Sequence, residues 1–300
     1  MADRARSALT RAATASLGTV PSTDILTLSC PDQPGIVHAV AGAIVVSGGN
    51  IVESQQFGDP DTGRFFMRVA VEGEQVGPAL RMSLTPVAAR YCMDWELHAG
   101  AHRTRTLVMV SLGGHCLNDL LFRARAGQLP IDVPAVVSNH ETLRPMAEFY
   151  GVPFHHVPVT PELKKDAESR LAELVKELDV ELVVLARYMQ VLSADLCAAM
   201  PGRVMNIHHS FLPSFKGARP YHQAHTRGVK LIGATAHYVT AALDEGPIIE
   251  QDVARADHTM APDALAGLGR DVKAQVLARA VRWHAEHRVL LNGSRTVIFR

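Results

Sequence analysis

Short apolar runs alternate with amphipathic segments through the second half of the chain, and this alternation constrains the fold more than any other feature. The runs TLVMVSL (106–112), DVPAVVSN (132–139) and VELVVLA (180–186) are almost entirely apolar, as strands covered on both faces are. Between the last two lies PELKKDAESRLAELVKELD (161–179), whose apolar residues recur at helical spacing. The pattern predicts a doubly wound, mostly parallel α/β sheet, in which ligands bind beyond the carboxyl ends of the strands.

The first part of the chain has a different order of elements. Its residue patterns predict strand, helix, strand, strand, helix and strand over six segments: 24–30, 36–49, 50–57, 64–71, 74–91 and 93–99. This β-α-β-β-α-β order is that of the ferredoxin-like unit. Because 300 residues exceed the usual size of one hydrophobic core, we expect a ferredoxin-like domain over 23–100 and the α/β domain over 104–300.

Composition argues against several classes of function. Thirty basic residues balance 30 acidic ones, so no positive surplus favours binding to nucleic acid or an anionic membrane. No apolar run approaches the roughly 20 residues that cross a bilayer. Four cysteines without a CxxC pair favour the reducing cytosol. We expect residues 1–22 to form a flexible extension, because chain termini are often loosely ordered. The alternative is a mitochondrial transit peptide, because the segment is rich in Arg, Ala, Ser and Thr.

Potential catalytic side chains collect in residues 204–251. Asn206 and His208 alternate along a predicted strand, so their side chains point to the same side. The next predicted strand carries His237, and the loop after it carries Asp244. An amide and a protonated imidazole can stabilise an oxyanion while a carboxylate activates water. Each residue alone is better explained by local backbone hydrogen bonds than by catalysis. Together they indicate acyl transfer from a formamide-type carbonyl.

A metal-dependent hydrolase is the alternative in a different mechanistic class. The stretch contains five imidazoles that could act as ligands: His208, His209, His222, His225 and His237. Their spacing is not HExxH, and the glycine-rich SLGGHCLND (111–119) meets neither the GxGxxG nor the GxxxxGK[ST] motif. We therefore predict neither a metal ion nor a nucleotide cofactor.

Four motifs resemble the formyltransferase family that uses 10-formyltetrahydrofolate. They are, in order, ARYMQVLS (186–193), NIHHSFLPSFKG (206–217), GATAHYV (233–239) and LDEGPII (243–249). The resemblance implies that Asn206, His208 and Asp244 are catalytic and that 10-formyltetrahydrofolate and water are the substrates. It also implies a set of substrate-binding residues: Arg187, Tyr188, Met189, Val191, Leu192 and His237.

The first domain resembles the ACT domain, a small-molecule-sensing module. The motifs are DQPGIV (32–37) and GGNI (48–51). The resemblance implies an amino-acid effector at the start of the first helix, where free N–H groups bind carboxylates well, and association into a homo-oligomer. The implied effector-binding residues are Asp32, Pro34, Gly35 and Ile36. The alternative is that Pro34 and Gly35 only shape a turn.

An ACT-like module ahead of this catalytic domain resembles the branch of the family that hydrolyses its substrate. The implied reaction converts 10-formyltetrahydrofolate to formate and tetrahydrofolate, which supplies formate for purine synthesis and balances the one-carbon folate pool. Two alternatives remain. The formyl group could pass to an amine, with Arg219 near a phosphorylated acceptor, or the chain could be a non-catalytic sensor of amino acids. The complete set of Asn206, His208 and Asp244 argues against the latter.

Overall fold

Two β-sheets, each with helices packed on it, organise the chain. The computed structural model describes residues 22–74, 76–212 and 220–300. The extension predicted over 1–22 lies outside these residues except for Ser22, which begins the first strand. Its flexible and transit-peptide interpretations therefore stay predictions. Arg219 also lies outside the described residues.

The first sheet has the predicted ferredoxin-like order. Its elements are β1 (Ser22–Pro31), α1 (Ile36–Val46), β2 (Asn50–Asp59), β3 (Arg64–Gly73), α2 (Val76–Tyr91) and β4 (Asp94–Ala99). The strands pair antiparallel in the order β2-β3-β1-β4. Leu26, Leu28 and Cys30 occupy alternate positions of β1 and are buried beneath the two helices, because successive side chains of a strand point to opposite faces.

The second sheet is the predicted mostly parallel one. Its elements begin with β5 (Thr104–Val110), α3 (His115–Arg125), β6 (Ile131–Asp132), β7 (Val136–Ser138), a 3-10 turn (Glu141–Leu143), α4 (Arg144–Phe149), β8 (Phe154–His156), α5 (Lys164–Glu177) and β9 (Leu182–Leu185). They continue with α6 (Ala194–Ala199), β10 (Val204–His208), α7 (Pro220–Thr226), β11 (Leu231–Tyr238), β12 (Ile248–Arg255), α8 (Pro262–Ala285), β13 (Val289–Asn292) and β14 (Arg295–Ile298).

The strand order places a ligand crevice at the carboxyl end of β5. The main path of the sheet is β12-β11-β10-β9-β5-β7-β8, with β6 paired to the start of β5. The chain winds from β5 to β7 and β8, then returns to the other side of β5 as β9 and β10, all parallel. Loops leaving β5 and β9 therefore diverge, which opens space beyond the strand ends. β11 and β12 complete the edge as antiparallel strands.

Prolines explain where the observed elements are shorter than predicted. The segment 132–139 forms the end of β6 and the separate strand β7, and Pro134 lies between them without an N–H to donate to a neighbouring strand. The segment 141–152 is divided into a 3-10 turn and α4, with Pro145 in the first turn of α4. Within the described ranges, no helix combines the length and the apolarity needed to cross a membrane.

The C-terminal hairpin β13–β14 packs against the first domain. The Asn292 amide donates a hydrogen bond to Asp59 at 2.6 Å, and the Arg295 guanidinium pairs with the same carboxylate at 3.2 Å. Phe66 of β3 is buried with Val297 and Phe299. The last residues of the second domain therefore join the two domains, a contact that the sequence analysis did not predict.

Candidate active site

The pairing of β10 with β11 places an amide beside an imidazole. Asn206 and His237 are partners in the antiparallel register, and Asn206 Nδ2 lies 3.3 Å from His237 Nε2. His237 Nδ1 is 2.9 Å from the carbonyl oxygen of Tyr238, which can only accept a hydrogen bond. Nδ1 therefore carries the proton, and Nε2 accepts from Asn206. The other N–H of the Asn206 amide is thereby held toward the strand end.

His208 is held by the turn that follows β10. Its side chain is buried, with the residue 7% exposed, and the backbone N–H of Ser210 donates to Nδ1 at 3.4 Å. In the neutral imidazole this leaves the proton on Nε2. Thr235 of β11 fixes the turn, because its hydroxyl donates to the Ser210 carbonyl at 3.0 Å and receives a hydrogen bond from Gln251 at 2.9 Å.

Asp244 lies between two histidines in the loop from β11 to β12. Its Oδ2 is 3.5 Å from His208 Nε2, and its Oδ1 is 3.7 Å from His237 Nε2. Its φ of 57° is left-handed, a conformation that Asp tolerates better than most residues. Gly246 lets the loop approach the strand, since a Cβ there would collide with the carbonyl oxygen of Tyr238. The backbone conformation of this loop therefore positions the carboxylate beside the two imidazoles.

A cavity of about 210 Å³ opens beside these side chains; we call it the reaction cavity. All nine predicted catalytic and substrate-binding residues line it: Arg187, Tyr188, Met189, Val191, Leu192, Asn206, His208, His237 and Asp244. One wall is the loop 186–193 and the other is the loop that carries Asp244. The exposed apolar side chains of Met189, Val191 and Leu243 at this cavity suit a flat, largely apolar ring.

The loop 186–193 is tethered at three points. The backbone N–H of Ala186 donates to the Met109 carbonyl at 2.8 Å. The backbone N–H of Met189 donates to the Ser111 hydroxyl at 3.0 Å, and that of Ser193 donates to a carboxylate oxygen of Glu168 at 2.8 Å. The wall of the reaction cavity is therefore held to β5 and α5 before any ligand binds.

Burial sets the electrostatics of the reaction cavity. It lowers the pKa of His237, against the opposing effects of its hydrogen bond to Tyr238 and of the Asp244 carboxylate. It also lowers the pKa of His209 to about 4, with further lowering by His208, Arg187 and Lys273. Both imidazoles are therefore neutral near pH 7.

The sequence analysis missed several residues of the cavity. His209 lines it, with its ring centroid 4.4 Å from that of His208, and so does Gln190, which lies between two predicted residues. The sequence could have indicated both residues, because Gln190 lies within the loop motif and His209 follows His208. It could not have indicated that Thr235 and Gln251 support the turn after β10, since that contact depends on the pairing of β11 with β12.

The other histidines of the stretch lie elsewhere. His222 and His225 are exposed on α7 and are not among the residues that line the reaction cavity. Among the residues described, no three His, Cys, Asp or Glu side chains are grouped so that they could hold a metal ion. The Asp244 carboxylate, the Asn206 amide and the imidazoles of His208 and His237 form a set suited to proton transfer and hydrogen bonding.

The four predicted effector-binding residues lie at the start of α1, in the first domain. Asp32, Pro34 and Gly35 are exposed, whereas Ile36 is only 2% exposed and belongs to the core of that domain. Gly35 has a φ of 93°, a conformation that glycine adopts without strain. A bound effector would therefore contact the exposed turn and not the side chain of Ile36.

The geometry of the reaction cavity is suited to hydrolysis or transfer at a carbonyl group. Asn206 and His208 present N–H donors to one region, and Asp244 presents an acceptor beside them. The separations of 3.5 and 3.7 Å are longer than the hydrogen bonds of a working acid–base pair, as is common before a substrate is bound.

Comparisons with known proteins agree on both halves of the chain. The family model for formyl transferase matches residues 104–281, and that for the ACT domain matches residues 25–85. A formyltetrahydrofolate deformylase from Corynebacterium sp. (strain P-1) is 52% identical over 92% of this chain and 98% of its own length.

Solved structures give the same result. A formyltetrahydrofolate deformylase from Burkholderia mallei superposes with a TM-score of 0.90 at 49% identity, covering 93% of this chain and 100% of that one. A glycinamide ribonucleotide transformylase from Symbiobacterium toebii gives a TM-score of 0.63 at 32% identity, covering 68% of this chain and 98% of that one. With an ACT domain ahead of a formyl transferase domain, the chain belongs to the formyltetrahydrofolate deformylase family.

Proposed function

We propose that this chain hydrolyses 10-formyltetrahydrofolate to formate and tetrahydrofolate in the reaction cavity. The observation that carries the proposal is the meeting of Asn206, His208 and Asp244 at one cavity in a member of the deformylase family. Water takes the place that an amine acceptor has in a transfer reaction. Every proton moves through side chains of this chain, so the proposed chemistry needs neither a metal ion nor a cofactor.

The first step is attack of water on the formyl carbon. The Asp244 carboxylate accepts one proton from the water as its oxygen bonds to that carbon. The electron pair of the formyl C=O moves to its oxygen, which becomes an oxyanion. The free N–H of the Asn206 amide and the Nε2–H of His208 donate hydrogen bonds to this oxyanion, and such donors are worth about 10²- to 10³-fold in rate each.

The second step is collapse of the tetrahedral intermediate. The C=O bond re-forms, the C–N10 bond breaks, and the electron pair goes to N10. The proton held by Asp244 passes to N10, so tetrahydrofolate leaves as a neutral amine. The remaining product is formic acid, which ionises to formate at neutral pH. Atoms balance with one water consumed per formyl group.

His237 acts in this scheme by positioning its neighbours. Its neutral Nε2 accepts from the Asn206 amide at 3.3 Å, which turns the second N–H of that amide toward the substrate. The folate ring itself would lie against the loop 186–193, whose residues include Arg187, Tyr188 and Leu192.

Transfer of the formyl group to an amine is the alternative reaction. The transformylase from Symbiobacterium toebii is 32% identical and matches only 68% of this chain, although 98% of its own length is covered. The presence of the ACT domain here, with 52% identity to a deformylase over 92% of the chain, favours hydrolysis.

The roles of the first domain are also proposals. We infer that the turn 32–36 at the start of α1 binds an amino-acid effector, that 23–100 and 104–300 are the two domains, and that the chain forms a homo-oligomer. The four cysteines are free thiols, which supports a reducing compartment such as the cytoplasm.

Replacing Asp244 tests the proposed function. Asp244→Asn keeps the size of the side chain and removes the base, so we expect formate release to fall about 10³-fold, within the range of about 10²- to 10⁴-fold for loss of a general base. The variant should still bind folate, which is measured by the quenching of protein fluorescence. Glu245→Gln is the matched control, since Glu245 is an exposed acid on the same loop. Near-normal turnover by Asp244→Asn would refute the assignment.

A further inference from the structure

A second cavity, of about 360 Å³, adjoins the reaction cavity and is lined by cations. We call it the cation pocket. It lies beyond the carboxyl ends of β5 and β7 and is closed on one side by α8. Three of its lining residues are Arg or Lys and come from two elements: Arg187 follows β9, and Arg270 and Lys273 lie on α8. None of the proposed catalytic steps uses it.

Among the described residues, no carboxylate lines the cation pocket. Its lining residues include no Asp or Glu, and within the described parts of the chain Arg187, Arg270 and Lys273 form no ion pair with an acidic side chain. Clustered cations without a counter-charge repel one another, so such a group is stabilised by an anion.

Lys273 is the most deeply buried of the three cations. The residue is 3% exposed, and its Nζ donates a hydrogen bond to the Tyr221 hydroxyl at 3.1 Å. Burial, and then the charge of Arg187, lowers its pKa to about 8. Burying an ammonium without a carboxylate partner costs free energy of folding, yet the packing of this region accommodates it. A Cβ at Gly269 would collide with Tyr221, so the glycine admits the ring that contacts Lys273.

His115 adds a buried nitrogen without a hydrogen-bond partner among the described residues. It lines the cation pocket at the start of α3, and its buried Nε2 makes no hydrogen bond within the described residues. Burial, with Lys273, Arg187 and Arg270, lowers its pKa to about 4. Buried polar atoms nearly always have partners, so this nitrogen, beside an ammonium without a carboxylate partner among the described residues, indicates that the cation pocket binds a polar ligand.

We infer that the cation pocket binds a small oxyanion, and that this anion is formate, the product of the neighbouring reaction. The assignment of formate rests on the proposed function; the need for an oxyanion does not. Arg187, Met189 and Gln190 line both cavities, so the two share a wall. Formate that forms beside the Asp244 carboxylate is repelled there and attracted by the cations across the shared loop, which gives the product a route of exit.

The test is thermal unfolding of the full chain without folate, in sodium formate, sodium phosphate or sodium chloride at matched ionic strength. We expect formate to raise the Tm of the wild type above its value in chloride, since a ligand that binds only the folded state stabilises it. Lys273→Met, which keeps the length of the side chain, should bind formate about 10- to 100-fold more weakly, the worth of a charge-assisted hydrogen bond. Lys176→Met, on the exposed surface of α5, is the matched control and should behave like the wild type.

A second variant guards against failure of Lys273→Met to fold. Arg270 is exposed on α8, so Arg270→Gln should fold and still weaken the effect of formate. Equal stabilisation of the wild type and both variants by formate would overturn the proposal, as would no effect of either oxyanion. Stabilisation by phosphate but not by formate would overturn the assignment of formate and favour a phosphorylated ligand. Because no folate is present, these outcomes do not depend on whether the chain hydrolyses 10-formyltetrahydrofolate.

Discussion

The reaction cavity and the cation pocket share one loop but differ in charge. The reaction cavity has the carboxylate of Asp244, whose oxygens lie 3.5 and 3.7 Å from the Nε2 atoms of His208 and His237. The cation pocket has Arg187, Arg270 and Lys273 and, among the described residues, no carboxylate. If the carboxylate and the ammonium were in contact, the carboxylate would be a weaker base and the ammonium would bind an added anion less well. Their separation along the sheet edge leaves each available for its own task.

The largest effect on the reaction cavity, after loss of Asp244, should come from His208. His208→Gln removes the Nε2–H donor to the oxyanion, and we expect kcat to fall by about 10²- to 10³-fold. The formate-dependent rise in Tm should remain, because His208 does not line the cation pocket. The measurement is steady-state formate release beside thermal unfolding. His225→Gln, an exposed residue of α7, is the control. Loss of both properties in His208→Gln would show that the two cavities are one site.

A smaller loss should follow from His237, which acts through Asn206. His237→Phe removes the acceptor that turns the amide, and we expect an approximately tenfold fall in kcat, within the range for interactions of residues in contact. In the Asn206→Ala background the same replacement should cost little, because the amide that it positions is gone. Equal losses in both backgrounds would assign His237 a role independent of Asn206. The double-mutant cycle on kcat is the measurement.

Arg187 belongs to both cavities and should affect both by a few-fold. Arg187→Met removes one of three cations from the pocket and one wall contact of the folate. We expect two values to rise by about three- to tenfold, as loss of one partly exposed charge contact implies. They are the KM for 10-formyltetrahydrofolate and the formate concentration that gives half of the maximal rise in Tm. A change in only one of the two values would contradict the shared wall. Arg282→Met, on an exposed part of α8, is the control.

The smallest effect comes from a histidine that lines neither cavity. His284 is half-buried, with its Nδ1 2.7 Å from the Tyr238 hydroxyl, and burial lowers its pKa to about 4. In the unfolded chain its pKa is about 6.5, so between these values the unfolded state binds a proton that the folded state does not. Stability should therefore fall as the pH drops from about 6.5 to 4, by roughly 1 kcal/mol per pH unit for this group.

Replacement of His284 checks this pH dependence. In His284→Gln, chemical denaturation at several pH values should give a shallower decline of the free energy of unfolding over the same window. The His225→Gln control should keep the wild-type slope, since His225 is exposed. An unchanged slope in His284→Gln would contradict the stated cause, because the protonation of this imidazole would then play no part.

The residues of the reaction cavity follow from sequence patterns, whereas those of the cation pocket do not. The two-residue period of a strand places Asn206 and His208 on one side, and the loop after the next strand brings Asp244 to them. In contrast, Arg187 and Lys273 are distant in the chain, and a lysine on an amphipathic helix is normally exposed. Only the packing of α8 against β10, β11 and β12, together with Gly269, buries Lys273 beside Arg187.

The fold shows the same division between local and long-range information. Apolar periodicity predicts the strands, and their order in the sheet follows from alternation with helices. The docking of β13–β14 on the first domain depends on Asp59 meeting Asn292 and Arg295. These residues are more than two hundred positions apart, and single charged residues at that separation carry no pairing signal.

The fate of the formyl group is the most direct test of the account. The wild-type chain, in excess over 10-formyltetrahydrofolate and without any amine, is followed through a single turnover by the yield of formate. We expect one formate for each folate consumed, and the same yield when glycinamide ribonucleotide is added as a competing acceptor. A formyl group that stays on the folate until the amine is added would contradict hydrolysis and identify the chain as a transferase.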